Sequence, residues 1–341
     1  MVIRYRKILA VLLACLQLMF LSACADSNPA AKNDLSETAR AQSTETAQQT
    51  AVDMTAACAQ TLISMVPEPS FGSVGGEWSV IGLTRWGGEL PENWTACYWN
   101  KLCDHVSGCN GILHERKYTE YSRVILAVTA IGKDPTDVGG YNMLLPLADF
   151  EQTVFQGVNG PVYALLALDS GNYEIPANTA GSTQATRELY VDYILSMESA
   201  GGGWSLAGGD ADVDITAMTL QALAKYRERP DVADAVERAL VYLSDQQNEL
   251  GGYTAYNAES SESVSQAIVA LTALGISPED SRFVKNGNTL LDALLRFRQA
   301  DGGFSHLMGG ESDLLATEQA FYALVAADRL ARGESSLYNM K

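Results

Sequence analysis

The chain has 341 residues, 47% of them hydrophobic, with 23 Lys and Arg against 41 Asp and Glu. That composition suits a globular protein rather than a disordered one, and the length allows one large domain or two ordinary ones. A net charge of −18 argues against a nucleic-acid surface and against a polybasic grip on anionic lipid, since both need clustered cations.

Arg4, Arg6 and Lys7 precede an apolar run from Ile8 to Leu21. The run is short for a spanning helix, which needs ~20 residues, but it suits a secretory signal. It ends in Leu21-Ser22-Ala23-Cys24, which resembles a bacterial lipobox. That resemblance implies cleavage after residue 23, a diacylglycerol on Cys24, and a protein held at the membrane outside the cytosol. The other candidate cysteine, Cys15, would leave too short an apolar core. Residues 24–52 are almost free of large apolar side chains. They cannot bury enough surface to offset ordering, so a disordered tether is expected.

Cys58, Cys97, Cys103 and Cys109 remain. Outside the cytosol, four cysteines suggest two disulfides, with three pairings open. Zinc is the alternative, because His105 lies between Cys103 and Cys109. The five-residue gaps differ from the tight pairs of structural zinc sites, so disulfides are expected and no metal.

From residue 200 onward the sequence repeats at about fifty residues. Gly201-Gly202-Gly203-Trp204, Gly251-Gly252-Tyr253 and Asp301-Gly302-Gly303-Phe304 each precede an acidic loop and an Ala- and Leu-rich stretch. Those stretches begin at Thr216, Val264 and Thr317, and Thr216–Leu223 and Ala267–Leu274 are apolar nearly all round, which predicts helices buried on most sides. Residues 231–247 instead carry one stripe, Val232, Val236, Leu240 and Leu243, so that helix buries one face. Residues 287–299 read similarly. Each unit is therefore one outer and one inner helix, turned by paired glycines. Weaker punctuation extends the pattern back to residue 53. Outer helices are expected at Met54–Met65, Pro91–His105, Leu144–Phe155 and Arg187–Ser199. Inner helices are expected at Gly76–Leu83, Tyr118–Ile131 and Gly160–Asp169. Pro135, Pro176, Pro230 and Pro278 fall in the expected connections. Six such hairpins predict an all-α (α/α)6 toroid over residues 53–341, a double ring with no exposed repeat end.

Glycine-glycine-aromatic turns leading into Ala- and Leu-rich helices resemble the repeats of squalene cyclases and protein prenyltransferase β-subunits. The resemblance implies an α/α toroid with ligands in its centre. In class II terpene cyclases an Asp-x-Asp-Asp motif holds the acid that protonates an alkene or epoxide. Asp212-Val213-Asp214-Ile215 matches its first two carboxylates, with Asp214 at the acid's position and Ile215 in place of the last. That substitution and Val158-Asn159-Gly160-Pro161-Val162-Tyr163 resemble intrinsic-factor-like cobalamin carriers and their bacterial surface relatives more closely. Cobalamin is then a candidate ligand, with no cofactor required.

Carbocation chemistry would need an acid, a dry cavity and aromatic faces. Asp214 with Asp212 is the candidate acid pair. Trp78, Tyr121, Tyr163, Trp204, Tyr253 and Phe304 are the candidate aromatics. Carboxylates at helix starts also serve as caps, and Glu259 and Glu262, then Glu311 and Asp313, occupy the equivalent loops. Glu262, Asp313, Glu318 and His306 complete the candidate ligand-binding set. A prenyltransferase zinc site is not expected, because no cysteine follows Cys109. Paired acids such as Glu259 and Glu262 also allow a glycosidase reading. The preferred reading is a lipid-anchored protein binding a corrinoid, an isoprenoid or a protein partner in its central funnel without catalysis. The alternatives are a terpene-cyclase-like enzyme using Asp214, and a scaffold or adhesion module with no small ligand.

Overall fold

A computed structural model describes residues 53–179, 181–255 and 258–341. The expected signal, Cys15, Cys24 and the tether lie outside the described residues. From residue 53 the chain runs as six helical hairpins. The outer helices are α1 (residues 53–65), α3 (Trp94–Gly108), α5 (Phe150–Val154), α7 (Arg187–Ser196), α9 (Pro230–Gln246) and α11 (Leu290–Leu295). The inner helices are α2 (Trp78–Trp86), α4 (Thr119–Ala130), α6 (Asn159–Ser170), α8 (Val213–Leu223), α10 (Ser261–Ala273) and α12 (Leu314–Ala331). Each inner helix packs on the next, and α12 packs back on α2. That last contact closes the ring, giving the (α/α)6 toroid.

Residue type explains which helix goes where. Every residue of α10 from Ser261 to Thr272 is buried, which a helix of Ala, Ser, Val and Leu tolerates on all sides. In α9 the buried set is a stripe, including Val232, Val236, Leu240 and Leu243, and the opposite face stays wet. The repeated turn is equally specific. Ser199 N donates to Gly203 O at 2.9 Å and Gln299 N donates to Gly303 O at 2.8 Å. Behind them, Trp204 N and Phe304 N donate to the Thr216 and Thr317 hydroxyls at 2.9 and 3.0 Å. Gly302 shows why glycine is needed. Its φ is 89°, and a Cβ there would stand 2.9 Å from Thr61 Oγ1 of α1. The last turn thus docks on the first outer helix.

Some elements differ from expectation. The helix expected over Leu144–Phe155 is broken into a 3-10 turn, Leu145–Ala148, and the short α5. Pro146 lacks an N–H, and Asp149 is extended and caps α5 through Gln152 N at 3.1 Å. Thr289 and Asp292 form a capping box that starts the sixth outer helix late, at Leu290. Pro230 opens α9 rather than lying in a loop, its missing N–H costing nothing in a first turn.

The expected disulfides are absent: Cys58, Cys97, Cys103 and Cys109 are all free thiols. Cys97 and Cys103 sit six residues apart on α3, and Cys109 is its C-cap. Six residues of helix rise about 9 Å, beyond disulfide reach. Cys58 is sealed in the core, where burial pushes its thiol up to about 12. His105, the possible zinc ligand, stacks on Phe71 at 4.0 Å.

After α12 the chain passes beneath the ring, against the C-terminal ends of the inner helices. Arg85 Nη2 donates to the carbonyls of Ser336 and Asn339 at 3.0 and 2.9 Å. Arg329 Nε donates to Ser335 O at 2.9 Å, and Met340 N to Ser170 O at 2.9 Å. Leu337 and Tyr338 are buried by this docking. No helix among the described residues is long and apolar enough to cross a membrane.

Candidate functional site

The N-terminal ends of the inner helices enclose a cavity of about 140 Å³ on the ring axis. The repeat builds its wall. Asp214 on α8 and Glu262 on α10 hold equivalent repeat positions, and one turn further in lie Met218 and Gln266. Gln319 of α12 is their counterpart, followed a turn on by Tyr322. Trp78, Tyr163 and Tyr338 complete the lining. The Trp78 ring lies 6.0 Å from that of Tyr163 and 6.2 Å from that of Tyr322.

The two aspartates of the Asp-x-Asp motif have separate roles. Asp212 caps α8, accepting from Ile215 N at 3.0 Å. Asp214 does not cap. It faces the cavity, and its Oδ1 is buried with no hydrogen-bond partner. Burial pushes its carboxyl up to about 6, and the charges of Asp212 and Glu262 add to the shift while neighbouring Ser263 opposes it. Ser263 is not among the residues that line the cavity, so the Asp214 carboxylate stands there as an acidic group that caps no helix.

Glu262 is fully occupied. It takes the hydroxyls of Ser260 and Ser261 at 2.9 and 3.2 Å and lies 2.8 Å from His306 Nδ1. His306 therefore stands on the rim, its side chain 60% exposed. Deeper in, Gln266 Nε2 donates to Gln319 Oε1 and to the Tyr322 hydroxyl at 2.9 and 2.6 Å. Tyr163 donates to Met218 Sδ at 2.9 Å.

The remaining sequence candidates lie elsewhere. Trp204, Tyr253 and Phe304 are buried behind the repeated turns, and Trp204 Nε1 donates to Ile194 O of outer helix α7 at 2.7 Å. Tyr121 packs on Tyr118 at 5.4 Å and accepts from Leu113 N at 3.0 Å, away from the cavity. Asp313 is the cap of α12. Glu318 is buried, bonded to the Ser79 hydroxyl and to Gly75 N, and burial pushes it up to about 7. Glu259 pairs with Arg296 at 3.0 Å, away from the axis. Among the described residues, no three His, Cys, Asp or Glu side chains form a metal-binding group. Met218, Gln266, Gln319, Tyr322 and Tyr338 were not among the sequence candidates. The first three share one repeat position, a signal open to alignment of the repeats. Tyr338 has no such signal.

The cavity can host an acid half-protonated near pH 6, beside aromatic faces that attract positive charge. Its volume is below the ~300–1,000 Å³ of pockets that enclose a ligand. A larger molecule would rest across the mouth. There Val74, Leu206, Leu307 and Met308 stand exposed in the connections that lead into α2, α8 and α12.

No family model matches the chain. Over 145 residues, 41% of this chain, it is 26% identical to drimenyl diphosphate synthase of Streptomyces showdoensis, and it spans only 27% of that protein. A variant of the type II terpene cyclase MstE from Scytonema, solved with geranylgeranyl dihydroxybenzoate as substrate, matches with a TM-score of 0.56 at 13% identity. The match covers 83% of this chain and 99% of that one. An unsaturated glucuronyl hydrolase from Bacillus sp. GL1 matches with a TM-score of 0.54 at 12% identity, over 86% and 99%. At these identities the likeness is one of fold. The chain has the α/α toroid fold that these solved structures share.

Proposed function

We propose that the ring is a binding protein that holds a small molecule across its acidic, aromatic mouth without chemical change. One observation carries this reading: Asp214, a carboxylate that caps no helix, lines a space of about 140 Å³ among Trp78, Tyr163 and Tyr322. A guest with an N–H or O–H donor would bond that carboxylate, whereas a whole prenyl chain would not fit the space beside it. The rim adds His306, and the exposed apolar loops add area for a flat or branched body. A corrinoid has this character, a broad ring edged with amide donors. An export signal ending at residue 23, with a lipid on Cys24, would place the binder on the outer face of a membrane. Titration of the purified protein with hydroxocobalamin tests the reading. Binding that weakens at least tenfold in Asp214→Asn supports it. No binding, or equal binding by both proteins, counts against it.

A second reading, a terpene-cyclase-like enzyme, is favoured by the same side chain being a non-capping acid with a raised pKa among aromatic rings. The matches to terpene cyclases support it as well. It requires turnover of a polyprene that disappears in Asp214→Asn.

A further inference from the structure

The ring axis holds a second chamber. On the side of the inner helices' C-terminal ends lies a cavity of about 270 Å³, with Leu166, Gln221, Ala222 and Ala273 among its lining. Tyr338 lines this chamber and the mouth cavity alike. A second bridge crosses between them: Gln221, on the lower chamber, donates from Nε2 to Oε1 of Gln266, on the mouth cavity, at 2.9 Å.

We infer that Tyr338, carried on the segment after α12, is the floor of the ligand site and sets how far a guest can extend along the ring axis. Three observations support this. Tyr338 is 9% exposed and stands between two cavities, so its ring divides the space and does not cover an outer surface. It belongs to no inner helix. It is delivered by a segment whose backbone is held from outside, by Arg85, Arg329 and Ser170. The floor side of the partition sets Leu166, Ala222 and Ala273 beside polar Asp169, Lys225 and Lys341, so an alkyl tail that passed Tyr338 would meet apolar side chains and leave part of its water. The ligand class follows. A guest, or arm of a guest, that enters the axis instead of resting across the mouth is an elongated amphiphile whose donor head meets Asp214 and whose tail length is limited by Tyr338. This rests on the mouth being a ligand site, as proposed above.

The test uses n-alkylammonium ions from butyl to decyl, titrated by calorimetry into the full chain. Each methylene taken out of water strengthens binding by about fourfold. In the wild type the gain should stop once the tail reaches Tyr338. In Tyr338→Ala it should continue for several more methylenes, and in Tyr338→Phe the stopping point should not move. Tyr338→Leu, a smaller opening and a milder change to the fold, should give an intermediate limit. The same limit in all four proteins, or a gain that never stops in the wild type, overturns the floor. Asp214→Asn reports on the mouth separately: it should weaken every ion by the same factor and leave the limit in place. A wild type that binds none of the ions overturns the floor and its ligand class, while the hydroxocobalamin titration decides the mouth separately.

Discussion

The two halves of the ring reach the same topology by different chemistry. In the second half the turns at Gly202–Trp204 and Gly302–Phe304 are held alike, by backbone bonds and a threonine hydroxyl, and the turn at Gly251–Tyr253 keeps the backbone bond. In the first half, the turn at Ser73–Glu77 is held by buried acids. Gly72 N bonds Glu77, and Gly75 N bonds Glu318 across the ring closure at 2.9 Å. Glu77 itself meets Arg123 Nε at 2.8 Å and the Tyr98 hydroxyl at 3.0 Å, while burial pushes its carboxyl up. A neutral turn can be copied because its partners are local in sequence. An ionic turn is a single solution, since its partners come from α2, α3, α4 and α12.

This contrast can be broken experimentally, first where a charge would be stranded. Arg123→Met should destabilise by about 4 kcal/mol, because Glu77 would stay buried without its counter-ion. Adding Glu77→Gln should recover much of the loss. Urea melts of the two variants check this, and additive losses would show that the pair is not coupled. Next, Gly302→Ala should cost about 2–3 kcal/mol, from the φ of 89° and the clash with Thr61. Gly201→Ala, with open space around its Cβ position, should be nearly neutral. A similar loss at both positions would mean that the repeated turn does not depend on its backbone geometry.

The mouth sharpens the comparison through pH. The Asp214 carboxyl titrates near 3.8 when unfolded and about 6 when folded. A raised acid is penalised once the unfolded chain ionises, so the contribution of Asp214 to stability should fall as pH rises from about 4 to about 6. Asp214→Asn removes the penalty. Its gain should be absent below pH 4 and reach about 3 kcal/mol above pH 6. A gain that is flat with pH would show that Asp214 is not the buried acid described here. A smaller loss is expected from capping. Asp313→Ala loses the bond from Ala316 N and should cost about 1 kcal/mol at any pH above the carboxylate range.

The sequence made the second half of the ring legible because each helix there advertises its own burial. The one-stripe α9 and the all-round apolar α8 and α10 differ in pattern before any packing is known. The paired glycines locate the turns. The first half was less legible at its edges, where Pro146 and Asp149 broke the expected helix over Leu144–Phe155. The site was only partly readable. Trp78, Tyr163, Asp214 and Glu262 line the cavity as candidates did on sequence grounds. Trp204, Tyr253 and Phe304, chosen for their place in the same motif, are buried as core. An aromatic after a tight turn has the same local signature whether its ring points along the axis or between the helix layers.

By itself the sequence determined the periodic part: helices of two burial kinds, alternating, with turns at the glycines, because 3.6-residue periodicity and backbone freedom are local properties. Closure of α12 on α2, the division of labour between Asp212 and Asp214, the free thiols and the placement of Tyr338 on the axis were decided only in three dimensions. Each depends on distances between residues far apart in the chain, and those distances are set by how the six hairpins curve together.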